Sequence, residues 1–164
     1  MKTIPLSRGY VALVDDEDYE SLSQHKWYAI VGRGGRAYAR RAIRISVGQQ
    51  KIVPMHRVIM GLTANDPRQV DHVNGNGLDN RRCNLRTCTN AENQHNQRPV
   101  RGGTSKYKGV SWHIDSGLWR AYISINKKIR HIGTFKTEIE AARAYDNMAR
   151  EFFGEFANLN IKEE

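Results

Sequence analysis

The chain contains no run of about 18 apolar residues, so nothing in it reads as a transmembrane helix. Its first nine residues lack the apolar stretch of a secretory signal, and a cytoplasmic protein is the expectation. Cysteine is scarce. Cys83 and Cys88 cannot build a disulfide framework, and their C-x4-C spacing, even with His95 nearby, falls short of a four-ligand zinc site. They read as buried thiols near a short strand. There is no internal repeat and no low-complexity tract. Acidic residues are missing altogether from residues 31–60.

What is present is positive charge, unevenly spread. The formal net charge is +9 in 164 residues. Residues 31–60 carry 7 basic and no acidic side chains, and residues 98–136 carry 9 basic and 1 acidic. Between them, residues 61–97 carry 4 of each. Two basic stretches flanking a neutral block suit a polyanion. Neither stretch shows the helical amphipathic pattern of a membrane-surface segment, so nucleic acid is the expected partner.

Residues 10–14 read as a short strand, and the acidic run from Asp15 opens a helical stretch through Leu22, since acids favour a helix N-terminus. Trp27 to Ile30 reads as a strand, Gly32, Gly34 and Gly35 as a turn, and Ala37 to Val47 as a half-buried strand. Tyr38, Arg40, Ala42 and Arg44 alternate along one side of that strand. Gly48 turns the chain, and a strand from Lys51 to Pro54 leads to His56. Residues 98–106 combine proline, paired glycine and small polar residues without periodicity, and are read as a linker. It separates residues 1–97 from residues 107–160. The second part predicts three strands, Tyr107 to Trp112, Leu118 to Ile125 and Ile129 to Phe135. A helix follows, opened by the capping box Thr137-x-x-Glu140, with Ile139, Ala142, Tyr145, Ala149 and Phe152 on its apolar face.

The stretch carrying chemistry runs Val70-Asp71-His72-Val73-Asn74-Gly75-Asn76-Gly77-Leu78-Asp79-Asn80. It continues through Arg81 and Arg82 to Asn84-Leu85-Arg86 and Thr89-x-x-Glu92-Asn93. It predicts strand, polar loop, strand, helix. Asp71 is a hard oxygen ligand and Asn93 offers a carbonyl oxygen, a pair suited to Mg²⁺, which takes few protein carboxylates and keeps water and phosphate oxygens. His72 could deprotonate water if a twist or bulge at the strand end turned it toward the same cleft as Asp71. Clusters of Asp, Asn and Gly more often form plain turns.

The order Asp-His, Gly-Asn, Asp-Asn, Asn-Leu-Arg, helix-Asn resembles the HNH motif of phage and intron-encoded homing endonucleases, over residues 52–97 and including Met55-His56-Arg57-Val58. The resemblance implies a ββα-metal (His-Me finger) unit in an α+β chain. It implies His72 as general base, Asn84 tying the loop to the hairpin, and Asp71 and Asn93 holding Mg²⁺ or Mn²⁺ rather than zinc. Asn90, His95 and Asn96 stay as alternatives to Asn93. Arg57, Arg81, Arg82 and Arg86 are expected phosphate clamps, with Arg36, Arg40, Arg41 and Arg44 as a basic DNA-tracking face. His56 is expected to be structural or to contact phosphate, and His25 to lie on the surface.

Tyr107-Lys108-Gly109-Val110, Trp119-Arg120-Ala121-Tyr122-Ile123, His131-Ile132-Gly133-Thr134-Phe135, Glu140-Ala141-Ala142-Arg143-Ala144-Tyr145-Asp146 and Ala157-Asn158-Leu159-Asn160 resemble an AP2-type DNA-binding domain. The resemblance implies a small three-stranded antiparallel sheet with one packed helix. Trp119, Ala121 and Ile123 would face the helix; Arg120, Tyr122 and Ser124, joined by Lys108, Ser111, His113 and His131, would face DNA. Several positions that are arginine in the plant pattern are Ser, Tyr or His here, so the plant target does not carry over. The reading is a monomeric, metal-dependent endonuclease acting on double-stranded DNA in a bacterial or phage-infected cell, homing-type, with no protein partner implied. The alternatives are a DNA-binding regulator without catalysis and an RNA-directed protein.

Overall fold

The computed structural model of the protein describes residues 1–32, 35–95 and 103–161. The chain forms two compact units, Met1–Asn90 and Ala91–Glu164. Residues 98–102 of the expected linker lie outside the described residues. Thr104 and Ser105, read as linker from composition, are bonded into the second unit. Trp112 donates its backbone N–H to Thr104 Oγ1 at 2.9 Å, and Ser105 Oγ donates to Glu138 at 2.7 Å.

The first unit opens with β1 (Lys2–Pro5), antiparallel to β2 (Val11–Val14), and then α1 (Asp16–Ser23) with three acids in its first turn. β3 (Tyr28–Val31), β4 (Ala37–Ser46) and β5 (Gln49–Pro54) form an antiparallel sheet with β4 in the middle. α2 (Met55–Ile59) then leads to the hairpin of β6 (Gln69–His72) and β7 (Leu85–Cys88); α3 (Asn90–His95) starts on the last residue of this unit and belongs otherwise to the second. One core joins these pieces: Ile4, Ala12 and Val14 from the first hairpin, Leu22, Trp27, Ala29 and Ala39, Met55 and Ile59, and Val70 and Leu85. Two elements differ from the sequence reading. β1 was not expected, because four residues ending in proline carry almost no pattern. The strand ending at Pro54 gives way at once to α2, whose Met55 is wholly buried, a burial that stabilises by about 1.5–3 kcal/mol. His56 therefore sits on a helix, not beyond a strand. Cys88 is buried but Cys83 is exposed, contrary to the expected pair of buried thiols, because Cys83 lies in a 3-10 turn before β7.

The first hairpin also pins the polar loop. Leu13 donates its N–H to Leu78 O and accepts from Asn80 N, both at 2.8 Å. Arg82 donates its backbone N–H to Asp15 and its guanidinium to Asp18 and Glu17. A loop rich in Asn and Gly is thus held by backbone pairing that its own composition does not announce.

In the second unit β8 (Val110–His113), β9 (Leu118–Ile125) and β10 (Lys128–Phe135) form an antiparallel sheet with β9 central. Asn126 and Lys127 both have positive φ, the backbone of a tight two-residue hairpin turn. α4 (Glu138–Phe153) begins with the expected capping box, both hydrogen bonds present. It buries Ala141, Ala142, Tyr145, Ala149 and Phe153 against Val110, Ala121 and Ile123. Ile139 and Phe152, expected on that face, are 52% and 41% exposed. Small alanines let the helix approach the sheet closely, and Phe153 rather than Phe152 closes its end. Gly109 has φ +71, and a Cβ there would run into the Tyr145 ring and Tyr122 O.

Candidate nuclease site and nucleic-acid face

Asp71 and His72 are consecutive residues of β6, facing Arg86 and Leu85 across the hairpin. The register runs unbroken from Gln69 to His72, with no bulge between them, and the two side chains have different partners. Asp71 Oδ2 accepts from Arg86 Nη2 at 2.8 Å and Nε at 3.1 Å. His72 Nε2 lies 3.4 Å from Asn80 Oδ1, and its ring meets His56 at 5.1 Å and Tyr38 at 6.0 Å between centroids. Both Asp71 and His72 are buried. Burial lowers the His72 pKa from its ordinary value, while Asn80, Asp71 and Asp79 pull it back up.

Asn84 is the knot of the loop. Its Nδ2 donates to Asp79 O at 2.7 Å, its Oδ1 accepts from Asn74 N at 3.0 Å, and its own carbonyl accepts from Val73 N at 2.9 Å. Asp79 is buried and accepts two bonds from Arg81 at 2.7 Å and one from Asn74 at 2.9 Å, and the Arg81 bonds hold its carboxyl below the usual range. Gly77 lies against the Tyr38 ring and Ala37 O, where a Cβ has no room.

The arginines expected to clamp phosphate are divided. Arg57 donates to the carbonyls of Thr63, Asp66 and Arg68, Arg81 pairs with Asp79, Arg82 with Asp18 and Glu17, and Arg86 with Asp71. These four fold the unit together. The spacing Asp79-x-Arg81 carried that signal, whereas the Asp71–Arg86 pair depends on hairpin register. Arg40 and Arg44 lie on the Tyr38 side of β4 by its two-residue alternation. Arg41 rests over the Trp27 ring, its carbon 5.1 Å from the centroid. The Nε atoms of Arg40 and Arg41 are sealed from solvent with no partner among the described residues.

Asn93 is on α3, half-buried. Of the alternatives, Asn90 Oδ1 accepts from Gln69 Nε2 at 3.3 Å, Asn96 is outside the described residues, and so is the His95 side chain. Among the described residues no group of three or more His, Cys, Asp or Glu side chains comes together to hold a metal ion. The Asp71 carboxylate has the chemistry that suits a hard cation, one that completes its shell with water and phosphate oxygens. The residues sequence reasoning missed are Tyr38 and Asn80, and with them the contact of His56 with His72.

In the second unit, β9 alternates as expected: Ala121 and Ile123 are buried, Tyr122 and Ser124 exposed. Ser111 and Thr134 stand opposite Arg120, and His131 opposite Tyr122, so these side chains share the sheet face away from α4. His113 joins that face across from Leu118, its Nδ1 2.8 Å from Ser116 Oγ. Arg120 Nε is sealed without a partner among the described residues. Lys108 precedes β8; Asn160 brackets its backbone N–H and C=O, and burial lowers its ammonium to about 8. No described helix is long and apolar enough to cross a membrane.

Residues 105–155 match the AP2 domain family. Over 62 residues the chain is 44% identical to APETALA2-like protein 2 of Oryza sativa subsp. indica, covering 37% of this chain but 14% of that protein. It is 30% identical over 90 residues to Protein 3.8 of Escherichia phage T7, covering 55% of this chain and 74% of that one. It is 31% identical over 158 residues to the uncharacterized HNH endonuclease L560 of Acanthamoeba polyphaga mimivirus, covering 93% of this chain and 76% of its relative. The chain therefore belongs to the HNH endonuclease family and carries an AP2 domain at residues 105–155.

Proposed function

We propose that the protein is a metal-dependent, homing-type DNA endonuclease whose AP2 unit, in line with the DNA binding that its homology implies, adds affinity for duplex DNA. The observation that carries the reading is His72, buried beside Asp71 and bonded to Asn80. A proton on Nε2, donated to Asn80 Oδ1, makes Nδ1 the basic nitrogen. Burial favours the neutral ring, the form a base needs. In the hydrolysis, a water oxygen forms the new bond to phosphorus and gives its proton to His72. The bond to the leaving sugar oxygen breaks, and that oxygen takes a proton from solvent. Asp71 and Asn93 would hold Mg²⁺ or Mn²⁺, which when bound polarises the scissile phosphate and neutralises developing charge. Asn84 keeps the loop, and with it Asn80, in place.

The competing reading is a regulator that binds DNA without cutting it. The ion pair between Asp71 and Arg86 favours it, because a carboxylate engaged by guanidinium has less to offer a cation. Supercoiled plasmid carrying the gene's own neighbourhood, incubated with Mg²⁺ or with EDTA beside His72→Ala, decides between them. The nuclease reading expects metal-dependent nicking or linearisation lost in the variant. Tight retardation without cutting by the unaltered protein supports the regulator.

A further inference from the structure

Three rings meet at the His72 site, and the hydrolysis above uses only one of them. His56, from α2, stands at 90° to His72 and at 72° to Tyr38, with centroid distances of 5.1 and 6.3 Å. Its position is held from both sides in sequence. Met55 is wholly buried in the core, and Arg57 is fastened to three backbone carbonyls of the following loop. Preorganisation of this kind is what a residue acting on substrate requires.

The two ring nitrogens of His56 are not equivalent. Nδ1 is sealed from solvent and has no hydrogen-bond partner among the described residues. Buried N–H groups left without acceptors are rarer and costlier than buried lone pairs left without donors. The ring proton therefore belongs on Nε2. The charged groups that act on His56 are Arg40 and Arg57, with His72 beside it, and all of them disfavour a cation there. Burial does so most strongly, and the pKa falls to about 3. His56 is thus a neutral ring with its proton on Nε2, unsuited to shuttle protons near neutral pH and suited to donate one fixed hydrogen bond. Arg40, on the same side of β4 as Tyr38, adds positive potential beside the rings, and its Nε is sealed without a partner among the described residues. A neutral donor flanked by a guanidinium, next to the proposed base, matches the anionic oxygen of a phosphodiester.

We infer that His56 is a substrate-contacting residue, which donates from Nε2–H to a non-bridging oxygen of the phosphate cut with the help of His72, and that Tyr38 holds its ring in place. The inference rests on the nuclease reading for its catalytic consequence, not for the contact itself.

Two substitutions separate the nitrogens. The amide nitrogen of glutamine reaches the place of Nε2, and that of asparagine only the place of Nδ1. His56→Gln is expected to keep plasmid cleavage within about threefold, and His56→Asn to lose about 100- to 1000-fold, the scale for removing one donor from a developing anion. Equal activity of the two variants, high or low, overturns the inference. A long-range ¹H–¹⁵N imidazole spectrum of the unaltered protein guards against a variant that does not fold. The expected ring is the Nε2–H tautomer from pH 5 to 8, with its Nε2 resonance shifting when duplex oligonucleotide from the gene's own neighbourhood is added. An Nδ1–H tautomer, a cationic ring at pH 7, or no shift on saturation with DNA each overturns the inference. If the unaltered protein cuts no duplex with Mg²⁺ or Mn²⁺, the nuclease reading falls, and the tautomer and the DNA-induced shift still decide whether His56 meets a phosphate.

Discussion

His56 and His72 meet edge to face with their ring centroids 5.1 Å apart, one carried by a five-residue helix and the other by the last residue of a strand. Burial of both rings makes the first unit sensitive to acid. The folded His56 has a pKa of about 3 against an ordinary 6.5. Between those values the unfolded chain binds a proton that the native chain does not, so stability rises with pH in that window. It is fully present above about pH 7 and is lost as pH falls below 6.5, by up to about 1.4 kcal/mol per pH unit for one group. His72, also lowered by burial, acts in the same direction. Urea unfolding at several pH values between 4 and 7 should show this slope, and His56→Gln should make it shallower. An unchanged slope in the variant would mean that His56 is not held neutral.

The pair was not legible in the sequence, and the reason is geometric. Motif spacing pointed to Asp71, His72, Asn84 and Asn93, because a β-hairpin with its loop is a local unit. Contacts from β4 and α2 onto that hairpin depend on how separate elements pack, and neither the alternation at Tyr38 nor the motif around His56 says which rings they meet. α4 shows the opposite case. Thr137 and Glu140 form the bonds that their spacing predicts, because a capping box is closed within four residues. Its buried face was legible at Ala142, Tyr145 and Ala149 but misjudged at both ends, where hydrophobicity favoured Ile139 and Phe152 while packing chose Ala141 and Phe153. Charge told the least. Seven basic residues without an acid in residues 31–60 mark a polyanion-facing segment, yet Arg57 among them is spent on backbone carbonyls.

Arg86→Met should separate folding from metal use. The substitution keeps much of the side-chain volume but leaves the Asp71 carboxylate buried without its guanidinium. Breaking one partner of a buried pair costs about 3–5 kcal/mol. Mg²⁺ at a concentration that fills the site should return part of that stability, since a cation replaces the missing charge. Thermal unfolding with and without Mg²⁺ measures it. A variant destabilised equally in both conditions would show that Asp71 does not hold the ion.

Asn84→Ala removes two hydrogen bonds that close the loop, the one given to Asp79 O and the one accepted from Asn74 N. The expected loss is about 1–3 kcal/mol, since both partners are left unpaired. Cleavage should fall further than stability alone accounts for, because the same loop carries Asn80, the partner of His72. Asn84→Asp keeps the acceptor and loses the donor, so it should lie between the two. Denaturant midpoints read beside single-turnover rates test the order, and a rate that simply tracks the folded fraction would reduce Asn84 to a structural role.

The sheet of the second unit makes a separable prediction. Arg120 stands between Ser111 and Thr134 on the face away from α4, and its Nε has no protein partner among the described residues. Nε itself is sealed, so a phosphate would meet this guanidinium through its Nη groups. Arg120→Ala should then weaken binding to all duplexes alike and reduce the slope of log K against log salt by about 0.9, the contribution of one phosphate contact. Tyr122 and His131 stand opposite each other beside it and present groups that read base edges or stack. Their replacement should change the preference among sequences and leave the salt slope nearly intact. Equilibrium titrations at several salt concentrations, with the native duplex and a scrambled one, give both numbers at once. If Arg120→Ala alters preference while Tyr122→Ala alters only the slope, the two roles are reversed, and the arginine is the base-reading residue of this face.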